Sequence, residues 1–399
     1  MAIFLFWRDI DKYKKTCYNS KSPINIMKIA LIGQKGLPSN SGGVETHVEN
    51  LAVRLVEAGH EVIAYSRKNY TGNSLKEYKK VKLINIPSVK SKNLEAIIHT
   101  FLSCLDLIFR PKKIDIIHFH SIGPSSLMFL IKIFKPKTPV IFTFHCQDYH
   151  HQKWGLFARL YLKLGEKIAC RLANKVVTVS KDLEAYAKNK YNIEAKYVPS
   201  GIDSPQILPA DSINKQWGLN KDNYIVAISR LIRHKGLHYL IAAYQQIKTD
   251  KKLVIVGDSS YTNDYVKELK DLAGDNKNII FTGKQSGSVL AELFSNAYLF
   301  VQPSESEGLS IALLEAMSYK NACLVSDIPA NKEVVDVNGI TFENTNINDL
   351  RISLEYLLLH PEIVDKNKED MYNRVKSEYD WNNVVKNIVI EYQKLTNKK

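Results

Sequence analysis

The chain has 399 residues, long for a single hydrophobic core and comfortable for two domains. With 45% hydrophobic and 24% charged residues it has the composition of an ordinary folded protein, which argues against fibrous, low-complexity and solenoid classes. The formal net charge of +14 is unevenly placed. Residues 1–200 hold 32 Lys and Arg against 15 Asp and Glu, and residues 201–399 hold 23 against 26. A basic half beside a near-neutral half suggests that the first half meets something anionic: nucleic acid, an acidic lipid surface or a phosphate-bearing acceptor. A generally Lys-rich proteome would give the same bias.

Taken in chain order, residues 1–26 read as an appendage with no assigned function. Their apolar start, Ala2–Trp7, precedes the charges, the reverse of a secretory signal, so the protein is expected to stay in the cytoplasm. Met27 opens a short apolar strand that runs into glycines, Lys28–Gly33. Further strands are predicted at Glu61–Ser66, Val81–Pro87, Asp115–Ser121, Pro139–His145, Lys175–Ser180 and Ala195–Pro199. Helical stripes lie between them; Val44, Val48, Leu51, Ala52 and Leu55 recur at helical spacing. Leu94–Phe109 carries Glu95, His99 and Asp106, and Leu127–Phe134 is short. Neither reaches the ~18–20 apolar residues that span a bilayer, and both read as helices packed on a sheet.

A Pro- and Gly-bearing linker, Pro199–Pro209, interrupts the pattern, which restarts with strands at Tyr224–Ser229, Lys252–Gly257, Asn278–Gly283, Tyr298–Pro303, Ala322–Ser326 and Gly339–Phe342. An amphipathic helix, Trp381–Leu395, follows. The expected organisation is an α/β protein of two doubly wound parallel-sheet domains, residues 27–201 and 202–378, closed by residues 379–399. Ligands then bind in the cleft beyond the carboxyl ends of the strands. Five cysteines, Cys17, Cys104, Cys146, Cys170 and Cys323, lie far apart without a C-x-x-C, which argues against a disulfide framework or structural zinc.

Three segments beyond strand ends carry chemistry. Gly33-Gln34-Lys35-Gly36-Leu37-Pro38 and Ser41-Gly42-Gly43-Val44-Glu45 place glycine amides before a helix start, which suits a phosphate or sugar; a merely tight turn fits as well. The spacing is not the dinucleotide G-x-G-x-x-G, and the next strand ends in Ser66-Arg67 instead of a ribose-binding acid, which argues against a nicotinamide dehydrogenase. Arg230 follows a strand directly, and Lys235-Gly236 comes five residues later. A fork and a point charge suit a diphosphate, unless both are solvated surface cations.

The third segment is Pro303–Met317. Glu307 stands in its loop, a helix is expected to open near Leu309, and the amides of Gly308, Leu309 and Ser310 would be unpaired donors facing an anion. Glu315 lies six residues on, roughly 9 Å along the axis at ~1.5 Å per residue. Apolar neighbours make it part-buried, and hydroxyl donors would satisfy it. For two isolated glutamates, one exposed and one first-turn Glu would be the better reading.

Together, EGLSIALLE with its two glutamates, SRLIRHKGL, GLPSNSGGVETHVENLA and FTGKQSGSVLAELFSNAYLFVQPSESEG resemble, in order, the motifs of the family 4 retaining glycosyltransferases. The likeness spans about residues 27–395. It implies the GT-B fold, two Rossmann-like domains facing across a cleft with the last helix crossing back to the first. It also implies a nucleoside-diphosphate sugar as donor and transfer with retention. By the resemblance Arg230 and Lys235 bind the diphosphate, Glu315 the ribose and Glu307 the transferred sugar. Gly42 and Gly43 close onto the phosphates, and Gly257, Asp258 and Lys284 face the base. His120 lies near the acceptor and His145 near the donor sugar.

Histidines are dense here: His118, His120, His145, His150 and His151. His118 and His120 share a strand, and only His120, nearer its end, is expected to reach the cleft easily. Satisfied structural histidines are the alternative reading of each. Cys146 and Asp148 beside them match no common zinc spacing, and neither a metal nor another cofactor is expected. The segment HCQDYHHQKWG…YLKLGEKIA resembles enzymes of bacterial surface-polysaccharide assembly. The expected acceptor is a lipid-linked saccharide at the inner face of the cytoplasmic membrane, which would explain both the basic half, through peripheral contact with anionic lipid, and the apolar helices around Leu94–Phe109 and Leu127–Phe134. Three alternatives stand beside this reading. They are a soluble acceptor, a non-catalytic sugar-nucleotide sensor and the nicotinamide dehydrogenase already argued against; nucleic acid is not expected as a partner, since that reading rests on charge alone and lacks a recognised module.

Overall fold

A computed structural model describes residues 25–397 apart from 41, 73–74, 90, 92–93, 151–153 and 260–261. Ser41, Cys17, His151 and nearly all of the N-terminal appendage therefore lie outside the described residues.

Two sheets carry the molecule. The first contains β1 (Lys28–Ile32), β2 (Glu61–Arg67), β3 (Glu77–Tyr78), β4 (Val81–Ile86), β5 (Ile116–His120), β6 (Val140–Phe144), β7 (Lys175–Thr178) and β8 (Lys196–Tyr197). Their spatial order is β3-β4-β2-β1-β5-β6-β7-β8. All pairings are parallel except β3 with β4, an antiparallel edge too short to be seen in the sequence pattern. The second sheet contains β9 (Tyr224–Ile228), β10 (Lys252–Val256), β11 (Ile279–Gly283), β12 (Leu299–Gln302), β13 (Ala322–Ser326) and β14 (Ile340–Phe342), ordered β11-β10-β9-β12-β13-β14 and wholly parallel. The strand order reverses beside β1 in one sheet and beside β9 in the other, so a crevice opens at each of these two points.

Period-two alternation explains why the strands are continuously apolar. In β1, Ile29 and Leu31 join one buried cluster while Ala30 and Ile32 join another on the opposite face. In β9, Ile225 and Ala227 point to one side and Tyr224 and Val226 to the other. Each sheet is covered on both faces, as an all-parallel sheet requires.

The chain passes between the two units twice, side by side. Ile202 donates to the Tyr379 carbonyl at 2.7 Å, and a β-bridge links Ile202 with Asp380. Gly201 lies so close to Trp381 that a Cβ would fall 2.6 Å from the indole. The helix Trp381–Thr396 then buries Trp381, Val384, Val385, Ile388 and Tyr392 in the cluster under the first sheet. Arg54 caps this junction, its guanidinium 5.0 Å from the Trp381 ring and paired with Asp203.

Candidate active site

β1 ends at Gly33, whose φ of 113° and close approach both demand glycine: a Cβ there would sit 2.1 Å from the His120 carbonyl oxygen. This approach brings the glycine-rich loop against the end of β5. Ser121 follows at φ 69°, a left-handed conformation unusual for a residue with a side chain, and the chain turns there into the helix Ile122–Ser125.

His118 and His120 are two apart on β5, so the strand's period puts both on one face, their ring centroids 4.2 Å apart. The expectation that only one faces the cleft side needs correcting: depth, not face, separates them. His118 lies deeper, where Nε2 meets the Thr143 hydroxyl at 2.6 Å and Nδ1 meets Tyr392 of the last helix at 2.8 Å. His120 Nδ1 lies 3.1 Å from His145 Nε2, while His120 Nε2 is buried without a partner.

A fourth ring, His47, comes from the helix Gly43–Glu57. It hydrogen-bonds Ser200 at 2.7 Å and lies 4.9 Å from the His145 ring, edge to face. Sequence reasoning passed it over, although its position three after Val44 and four before Leu51 places a polar residue inside the apolar stripe.

Burial holds all four imidazoles neutral. His47 is lowered to about 4 and His118 to about 3, and desolvation carries His120 and His145 well below the usual histidine range. Nitrogens of His47, His120 and His145 come within 4.8 Å of one another, a set able to accept a divalent ion. In this arrangement His47 and the other two rings already spend a nitrogen each on Ser200 or on one another.

From the second unit, the turn after β9 and the loop after β12 face this cluster. Lys235 pairs with Glu307, both side chains nearly buried. The Glu305 amide donates to the His234 carbonyl at 2.8 Å, which ties the two loops together. Arg230 and Glu307 both act electrostatically on the Cys146 thiol, which places Arg230 in the same region; burial pushes that thiol up. Gly308 touches the first unit directly, since a Cβ on it would lie 1.8 Å from the His145 carbonyl oxygen.

The helix opens at Ile311, two residues later than the sequence suggested, because Ser310 caps it: its hydroxyl accepts from the Leu313 amide at 3.3 Å. Among the described residues, the amides of Gly308, Leu309 and Ser310 donate to none, and those of Ile311 and Ala312 are the free donors of a helix start. Gly43 sits against Ile311, since a Cβ on it would lie 3.3 Å from that side chain, so the glycine-rich loop meets this helix end. Gly42, one residue earlier, lies beside the Glu45 carboxylate.

Glu315 lies one turn into the helix Ile311–Ser318. No described residue donates to its carboxylate, and desolvation raises its pKa to about 7. Gly257 closes β10, its amide on the Gly283 carbonyl at 3.0 Å; Asp258 accepts from the Leu231 amide at 2.9 Å. Lys284 reaches across the cleft to the Asn40 carbonyl at 2.6 Å. Of the residues chosen from the sequence, Gly43, Gly308 and Lys284 make contacts between the two units, while Glu315 stands within a helix and Gly257 and Asp258 bond within the second unit.

Residues 41–205 match the model of Glycosyltransferase Family 4 and residues 210–377 that of Glycosyl transferases group 1, which together tile both units. The chain belongs to the family 4 glycosyltransferases. It is 26% identical to an uncharacterized glycosyltransferase of Methanocaldococcus jannaschii over 92% of this chain and 98% of that one. It is 24% identical to a putative teichuronic acid biosynthesis glycosyltransferase of Bacillus subtilis over 71% of each. Among solved structures, Anabaena HepE in complex with UDP-glucose superposes with a TM-score of 0.75 at 17% identity, covering 92% of this chain and all of that one. The fold is GT-B.

Proposed function

We propose that this glycosyltransferase moves a sugar from a nucleoside-diphosphate donor, UDP-linked, to a hydroxyl of a lipid-linked saccharide in surface-polysaccharide synthesis, with retention at the anomeric carbon. The single observation that carries the donor assignment is the junction of the Lys235–Glu307 pair with the free amides ahead of Ile311, faced by Gly43. Charge builds on the diphosphate as it departs, and fixed donors aimed at that charge lower the barrier. Arg230 and Lys235 neutralise it, and the amides from Gly308 to Ala312 and around Gly42 and Gly43 solvate it.

Glu315 accepts from the ribose hydroxyls. Glu307, held by Lys235, accepts from the transferred sugar, and the ends of β10 and β11 with Gly257, Asp258 and Lys284 border the base. His145 lies toward the donor sugar. His120, neutral with a free Nε2, offers a hydrogen bond where sugar and acceptor meet. UDP is favoured over other bases by the likeness to HepE. The lipid-linked saccharide is favoured by the basic first unit and by the teichuronic acid relative.

The test is a thermal-shift panel of UDP-, GDP- and other activated sugars, followed by transfer of a labelled sugar to a membrane lipid extract. Stabilisation by UDP-sugars and label in the lipid fraction are expected. Stabilisation by none of the donors would overturn the reading. Transfer to water-soluble glycans alone would favour the soluble-acceptor alternative. A non-catalytic sensor would bind donor yet transfer nothing even with the lipid extract.

A further inference from the structure

No helix among the described residues is long and apolar enough to cross a membrane. Yet large apolar side chains stand in solvent on one side of the first unit. On the helix Leu156–Leu172 they are Leu156, Phe157, Leu160 and Leu164, which are 71%, 88%, 55% and 52% exposed. At 100° per residue these four fall within an arc of about 100°. The opposite arc of the same helix, with Leu162, Gly165, Ala169 and Cys170, is buried.

The helix Met128–Phe134 packs beside it and exposes Ile133 and Phe134 at 63% and 61%. On that helix's other side, Glu95–Phe109 ends in Phe109, 80% exposed. A clustered apolar face of this kind marks a docking surface, whereas single exposed apolar residues are ordinary.

The charges on this face are of one sign. Arg159, Lys163, Lys167 and Arg171 are exposed on the first helix, and Lys167 and Arg171 continue the arc of the leucines. The only acid on that helix, Glu166, is fully buried and bonded to Lys190, Tyr186 and Tyr191. The helix Met128–Phe134 carries no acid, and the two acids of Glu95–Phe109 are spent on Arg67 and Arg110. Apolar side chains ringed by exposed cations complement the boundary layer of an anionic bilayer: the rings and leucines enter the acyl edge while Lys and Arg extend to the headgroups.

We infer that the exposed arc of Leu156–Leu172, with Ile133, Phe134 and Phe109, is the surface by which the protein docks on anionic lipid. Gly165 of this helix rests on the Ile122 carbonyl, two residues beyond His120. Docking through it sets the acceptor side of the cleft next to the bilayer plane. The inference deepens the lipid-linked acceptor reading and rests on it for its purpose, though not for the binding itself.

The full chain is sedimented with vesicles of phosphatidylcholine alone and with 30% phosphatidylglycerol, at about 50 mM and about 500 mM salt. Wild type is expected to bind the anionic vesicles at low salt and to be released at high salt. The quadruple variant L156S/F157S/L160S/L164S should lose at least about tenfold in partitioning, and K163E/K167E should lose binding and its salt dependence together. Val337→Ser, at an isolated 90%-exposed apolar residue of the second unit, should bind as wild type does. Thermal stabilisation by UDP-sugars, retained in every variant, shows that each is folded and separates this result from the donor assignment. Equal sedimentation of the quadruple variant and wild type would overturn the inference. So would wild-type protein that ignores anionic vesicles, or a dimer in solution that dissociates in the quadruple variant and shows the face to be covered by a second copy.

Discussion

At the scale of single residues, environment decides chemistry. Glu315 has a carboxyl raised to about 7 by desolvation, with no described donor to offset it. Ribose hydroxyls donate best to the ionised form, so donor binding opposes protonation. The donor KM of wild type should fall as pH rises through 7, by several-fold between about pH 6 and 8, while Glu315→Gln should give a higher and flatter profile. Parallel profiles in the two proteins would remove the ribose role. The sign for folding is opposite: this carboxyl takes up a proton more readily folded than unfolded. Its contribution therefore favours the fold at low pH and is lost as pH rises from about 4.5 to 7.

The histidines behave in the other sense. Neutral through burial, they can donate and accept hydrogen bonds but supply no imidazolium near pH 7. EDTA should leave turnover within about twofold. Loss of activity restored by zinc or manganese would assign a metal to His47, His120 and His145 instead. His47 shows how much of the site could be read in the sequence and how much could not. Arg230, Lys235, Glu307 and Glu315 stand out because charge follows a strand end or interrupts an apolar helix. His47 sits within a helical stripe and becomes noticeable only when Ser200 and His145 arrive from far along the chain.

At the scale of elements, the loop after β12 and the helix it feeds meet the first unit without room to spare. Gly308→Ala would place a methyl carbon 1.8 Å from the His145 carbonyl oxygen. Because that contact lies between units and not within either core, the substitution should lower kcat by about tenfold or more with little change in melting temperature, since the two halves can no longer meet around the donor. An unchanged kcat would show that this contact plays no part in turnover. The helix start moved from Leu309 to Ile311 for a legible reason, Ser310 being a better cap than its neighbours. The edge strand β3 escaped notice because two residues carry no period.

At the scale of the whole molecule, the alternation of apolar strands and amphipathic helices was readable because parallel sheets bury both faces. Which strands neighbour one another was not, since order depends on crossovers that leave no local mark. The uneven charge was visible from composition. The apolar face on Leu156–Leu172 was hidden, because a helix buried on one arc and greasy on the other reads as an ordinary core helix until its packing is known.

The central claim is a cationic cradle for a leaving diphosphate, made by Arg230, Lys235 and a helix start, with Glu315 beside it. Calorimetric titration of UDP into wild type and into Arg230→Ala, Lys235→Ala and Glu315→Ala tests it most directly. Wild type should bind saturably and each variant at least about tenfold more weakly, the loss of one charge-assisted contact at about 1.4 kcal/mol per factor of ten. Equal affinity across all four proteins would contradict the account.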